Sequence, residues 1–212
     1  MKKTKVIALS LAIVASFIVA HTYATARQTA QQPPKGFVDE TVIMSMIERG
    51  QPSEAYTLKV LAPLIGEWEY SAAFWSTPDA DPAYASGTAT NEMIMGDRFL
   101  SSKILGSLNI AGHNVPITRT DTIGYDNMKK SFTSVQIDSI STEMVVGHGQ
   151  YDAEQNTLNE TGTFTDHLTG KEKKFRATLA FIDTDKYKRT VFSTDEAGKE
   201  MKLMEFEYTR KR

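Results

Sequence analysis

The sequence predicts a mainly β fold: an antiparallel up-and-down β-barrel of about ten strands, preceded by one or two short helices. Three observations predict it. Beyond Gly66 apolar and polar residues alternate, as in Trp68, Tyr70, Ala72 and Phe74 against Glu67, Glu69 and Ser71, which is the period of a half-buried strand. The alternation is cut at short intervals by Asp, Asn and Gly, the residues that tight turns favour. No helical period intervenes, so successive strands pair as neighbours, and closure removes the exposed edges of a long meander. A two-sheet sandwich is the competing arrangement.

The elements follow in order. Val38, Val42, Ile43, Met46 and Ile47 recur at helical spacing behind Asp39, predicting a helix over Phe37 to Arg49. Gly50 to Ser53 breaks it, and a second helix is predicted from Ser53 to Ala62, with Ser53 as cap and Leu58 and Leu61 on one face. Residues 37–62 are thus a helical segment and 63–212 the barrel. Turns fall at Gly96-Asp97, Asp126-Asn127, Asp152 to Asn156, His167 to Gly170, Asp183 to Asp185 and Asp195 to Gly198. Phe175 to Phe181 and Met204 to Tyr208 are among the clearest strands. Asp126 to Lys129 is read as the hairpin between the fourth and fifth, with the Asp126 carboxylate accepting from loop N–H groups.

The first 26 residues have another character. Lys2, Lys3 and Lys5 precede an apolar run from Ile7 to Ala20, and Ala24-Thr25-Ala26 supplies a small-x-small cleavage site. That is the anatomy of a signal peptide. A membrane anchor is the alternative, but the run is shorter than the roughly 20 residues of a spanning helix. Residues 27–36, with Pro33-Pro34, read as a flexible leader. The expected location is therefore periplasmic or secreted, with no stable membrane anchor after cleavage. Without Lys2, Lys3 and Lys5 the chain keeps 21 basic against 26 acidic residues, a net charge of −5, which argues against nucleic acid as a partner. There is no cysteine, so an exported fold must hold by its core alone.

Candidate site residues come from the strands. In Phe132-Thr-Ser-Val-Gln-Ile-Asp138, one face carries Phe132, Ser134, Gln136 and Asp138. Pointing inward, it would line a ligand cavity; pointing outward, it is an ordinary solvated face. Tyr70, Phe99 and Phe132 are candidates for aromatic lining, and Arg98, Gln136 and Asp138 for orienting a ligand. His148, between Gly147 and Gly149, is either a haem or metal ligand, a polar point inside the barrel, or a half-exposed strand histidine. No second histidine stands at ligand spacing, so no metal site is expected. Asp138 is the one weak catalytic candidate, as a general base, and no nucleophile or phosphate-loop motif accompanies it. Trp68 at the start of the first strand and Arg210 at the end of the last would meet in a closed barrel of even strand number, where the guanidinium can stack on the indole.

The segments LAPLIGEWEY, MIMGDRFL, IGYDNMKKSFTSVQIDS, GQYD and GKEMKLMEFEYTRK, in this order, resemble the DUF1579 family of bacterial proteins over roughly Pro52 to Lys211. The resemblance implies a lipocalin-like (calycin-type) barrel and no defined activity. The family pattern often has a histidine where Leu58 stands and a tryptophan where Gln136 stands. Arg98, Tyr125, Asp126, Asp138 and Glu205 match it. The expected function is binding of a small, mostly apolar ligand inside the barrel without a cofactor. The alternatives are a haem barrel ligated by His148, which the resemblance permits, and an enzyme using an interior carboxylate such as Asp138.

Overall fold

The computed structural model describes residues 39–110, 112–167, 169–195 and 197–212. The signal segment, its cleavage site, the leader, and Phe37 and Val38 lie outside the described residues. The chain divides into two compact units, Met1–Ile47 and Glu48–Arg212. Helix α1 (Glu40–Arg49) begins in the first. Asp39 caps it, its Oδ1 accepting the Thr41 N–H at 2.7 Å.

The second helix differs from expectation. Glu54–Leu61 is π-helical and runs into a single 3-10 turn, Ala62–Leu64. Its bonds span five residues, as from Leu58 N–H to the Ser53 carbonyl, so residues three apart no longer share a face. Thr57, Val60 and Leu61 are buried while Leu58 is exposed. Ser53 makes no side-chain cap; its own N–H donates to Thr57 Oγ1 instead.

Ten strands follow: β1 (Gly66–Phe74), β2 (Ala83–Ile94), β3 (Phe99–Ile110), β4 (His113–Asp126), β5 (Ser131–Asp138), β6 (Val145–Asp152), β7 (Thr157–Thr165), β8 (Glu172–Phe181), β9 (Lys186–Thr194) and β10 (Glu200–Arg210). Each pairs antiparallel with the next, and β1 pairs with β10, closing one barrel. Closure excludes the sandwich.

One end of the barrel is floored. Trp68 is 1% exposed, and its indole N–H donates to the Leu64 carbonyl at 2.8 Å. Arg210, opposite Trp68 in the β1–β10 register, holds its guanidinium 4.1 Å from the indole ring centre. It also donates to the carbonyls of Pro63, Ile65 and Thr184, joining the entering segment to the last strand. Leu61 and Leu64 are buried here. Tyr56 of the π-helix stacks on Tyr125 at 4.3 Å, and Phe132 meets both rings edge-on. At the same end Asp126 Oδ1 accepts the N–H groups of Met128 and Lys129 at 2.8 and 3.0 Å, forming the β4–β5 hairpin turn.

Candidate functional site: the barrel interior

Strand register assigns every side chain to the inside or the outside. Phe132, Ser134, Gln136 and Asp138 of β5 stand opposite Tyr125, Ile123, Asp121 and Arg119 of β4, and this face points inward. The same parity places Tyr70 inside, buried among Tyr208 and Phe206. Of the sequence candidates, Tyr70, Gln136 and Asp138 therefore share the interior. Phe132 also points in, but it is wholly buried in the floor, where it packs against protein rings.

Three candidates lie elsewhere. Phe99 alternates with the inward Leu100, so it points outward, 40% exposed, with its ring across Gly124 of the neighbouring strand. Gly124 thus makes room for that ring. Arg98 sits in the β2–β3 turn and donates to the carbonyls of Gly50, Met95 and Gly96. It tethers the segment after α1 and cannot orient an interior ligand. His148 is exposed on the outer face, its Nδ1 3.2 Å from Thr133 Oγ1. Its neighbours Gly147 and Gly149 face inward, where Ser134, Glu160 and Phe175 occupy the space their side chains would take.

The interior also holds charges that periodicity did not single out. Arg119 makes a bidentate pair with Asp121, both contacts 2.6 Å, with side chains only 16% and 19% exposed. Asp138 stands opposite Arg119 at the end of β5, its Oδ1 accepting the Ile140 N–H at 3.0 Å. Deeper, Arg189 Nη1 lies 3.1 Å from Glu160 Oε2, and the Glu160 side chain is 1% exposed. Burial works against the charge on Arg119, but the pairing with Asp121, Tyr208 and Asp138 outweighs it and holds the guanidinium protonated. Burial likewise pushes the Tyr70, Tyr187 and Tyr208 hydroxyls above the ordinary tyrosine range, so all three remain neutral hydrogen-bonding groups. A signal existed for these charges: Arg119 and Asp121 share parity with Ile123 and Tyr125, and Glu160 with Leu158 and Gly162.

Burial of the inward side chains varies along the barrel. Next to the floor the inward residues Trp68, Ala89, Leu100 and Leu158 are all buried. Toward the other end Phe74, Ala85, Leu108, Ile117, Val145 and Phe164 are only half-buried, although they too point inward, while Phe175 and Met201 there are buried. Between the two zones, above the floor, lies a cavity of about 50 Å³ bounded by Asn91, Gln136, Arg189 and Tyr208, among others. Among the described residues no group of three or more metal-ligating side chains is present.

Fold and interior together define a class: a closed antiparallel barrel, floored at one end, with half-buried apolar side chains at the other and ion pairs along its wall. By sequence the chain belongs to the DUF1579 family, a protein family of unknown function, which it matches over residues 55–210. No curated protein is significantly similar in sequence. Among solved structures the chain is similar to Rv2717c from M. tuberculosis, with a TM-score of 0.55, 15% identity, and 76% of this chain and 100% of that chain covered. It is also similar to the S-type phycobiliprotein lyase CPES from Guillardia theta, with a TM-score of 0.50, 12% identity, and 79% and 97% covered. At such identities the likeness speaks for the fold alone.

Proposed function

We propose that this protein is an exported barrel that binds one small, mostly apolar molecule through the mouth opposite the Trp68 floor. The half-buried inward side chains Phe74, Ala85, Leu108 and Ile117 at that end carry this reading. A barrel kept only as a scaffold would seal both ends, because half-exposed apolar side chains forgo about 25 cal/mol for each Å² left in water. Phe74, Ile117 and Phe164 supply apolar contact at the mouth, and Tyr70, Arg119 and Asp138 lie below them as orienting groups. A buried ion pair contributes little net stability, which favours a recognition role for Arg119. The interior cavity of about 50 Å³ is far below the roughly 300–1,000 Å³ of a drug-sized site, so the body of the ligand occupies the mouth. Export rests on the N-terminal sequence. The outward position of His148 lends no support to haem within the barrel, and Asp138 is assigned to orientation, not catalysis.

Native mass spectrometry of protein recovered from its own host's periplasm tests the proposal. The expected result is a chain beginning near Arg27 with a non-covalent adduct that denaturation releases. Recovery of a chain that begins at Met1 would overturn export, and adduct-free protein that takes up no apolar probe would overturn binding.

A further inference from the structure

Four buried polar atoms have no hydrogen-bonding partner among the described residues: Asn91 Oδ1, Ser134 Oγ, Glu160 Oε1 and Arg189 Nε. They are not scattered. Asn91, Ser134 and Arg189 line the cavity of about 50 Å³, and Glu160 is ion-paired with Arg189. A Cβ at Gly147 would lie 2.7 Å from Ser134 Oγ and 3.5 Å from both Glu160 Oε1 and the Phe175 ring, so the two oxygens flank the same glycine of β6 beside that ring. Asn91, Ser134 and Glu160 are 3%, 3% and 1% exposed. Unpaired buried polar groups are costly, and three on the wall of one cavity, with a fourth on the ion-pair partner of one of them, mark a place built to be filled by something polar.

Their chemistry restricts what fits. The Asn91 amide is oriented by its Nδ2, which donates to the Leu64 carbonyl at 2.9 Å and the Tyr187 hydroxyl at 3.4 Å, leaving its oxygen as an acceptor. Glu160 Oε1 is a second acceptor, Arg189 Nε–H is a donor, and Ser134 can act as either. Two acceptors and one donor complement a group with two N–H donors and one carbonyl oxygen. A carboxylate would face the Glu160 and Asn91 oxygens, and an ammonium would face Arg189. The cavity has room for a few water-sized groups, which is the scale of such a head. Its rim includes Asp121 and Gln136, one inward step from Arg119 and Asp138 toward the mouth.

We propose that this cavity is a head-group subsite for an uncharged amide, with Asn91 and Glu160 accepting its N–H groups and Arg189 donating to its carbonyl, while the apolar body extends into the mouth. This rests on the binding reading above. The test is calorimetric titration of the mature chain with octanamide, octanoate and octylammonium, alongside fluorescence titration with the neutral apolar probe N-phenylnaphthylamine. Octanamide should bind at least about tenfold tighter than either charged analogue, the factor expected for one or two well-formed hydrogen bonds. Ser134→Val, which removes a polar atom and fills space, should abolish that preference while leaving the probe's affinity unchanged. Glu160→Gln replaces an acceptor by a donor and should move preference toward octanoate. Equal affinities for the three octyl compounds, or an amide preference that survives Ser134→Val, would show that the cavity holds only water and would overturn the subsite while the mouth stands. Failure of the probe and all three compounds to bind would remove both.

Discussion

At the residue scale, Trp68 and Arg210 show how two positions far apart in sequence carry one structural decision. Their placement was legible because an even number of antiparallel strands brings the start of the first and the end of the last to one rim. Trp68→Ala should cost about 3–5 kcal/mol in chemical denaturation, as for a buried aromatic truncated in a core. Arg210→Ala should cost less, about 1–2 kcal/mol, the scale of a partly desolvated cation–π contact. Asp126 was legible for another reason: an Asp in a turn bonds its own loop. The N–H groups of Lys129 and then Met128 hold its carboxyl below the ordinary value of 3.8. A carboxylate whose folded pKa is depressed stabilises the fold above its unfolded pKa, and that contribution is lost as pH falls through the folded pKa. Asp126→Ala should therefore lower the melting temperature at neutral pH, and the difference from the unaltered chain should shrink in acid below that value. A constant difference across pH would assign the effect to something other than the carboxylate. Phe99 and Arg98 were illegible at this scale. A strand's period leaves open which face is inside, and a turn arginine satisfied by carbonyls looks in sequence like one free to bind.

At the element scale, the strands were read from alternation and their ends from Asp, Asn and Gly, both local signals. The π-helix was not, because its face depends on the width of a turn that composition does not encode. The four interior charges were missed because charged residues in alternating strands usually face water; their parity with Ile123 and Tyr125 was a signal left unread, and strand register shows that Arg119 and Asp121 turn inward. Their pairing on β4 can be tested by a double-mutant cycle. Arg119→Leu or Asp121→Leu alone strands a buried partner and should cost about 3–5 kcal/mol, whereas the double substitution should recover much of that loss. Additive losses in denaturant unfolding would mean that the two side chains do not act as a pair.

At the scale of the whole molecule, closure turns a meander of ordinary strands into a container. The π-helix and the Trp68–Arg210 contact seal one end, ion pairs line the middle, and half-buried apolar side chains are left at the other. The central claim is that this mouth admits a small apolar molecule. The most direct test is a fluorescence titration with N-phenylnaphthylamine of the unaltered mature chain and of Ala85→Trp, a change that fills the mouth from β2. Saturation at one probe per chain, weakened by about tenfold or more in Ala85→Trp, which is at least 1.4 kcal/mol of lost binding, is the result predicted. Fluorescence that never saturates, or a saturable site that Ala85→Trp leaves untouched, would contradict it.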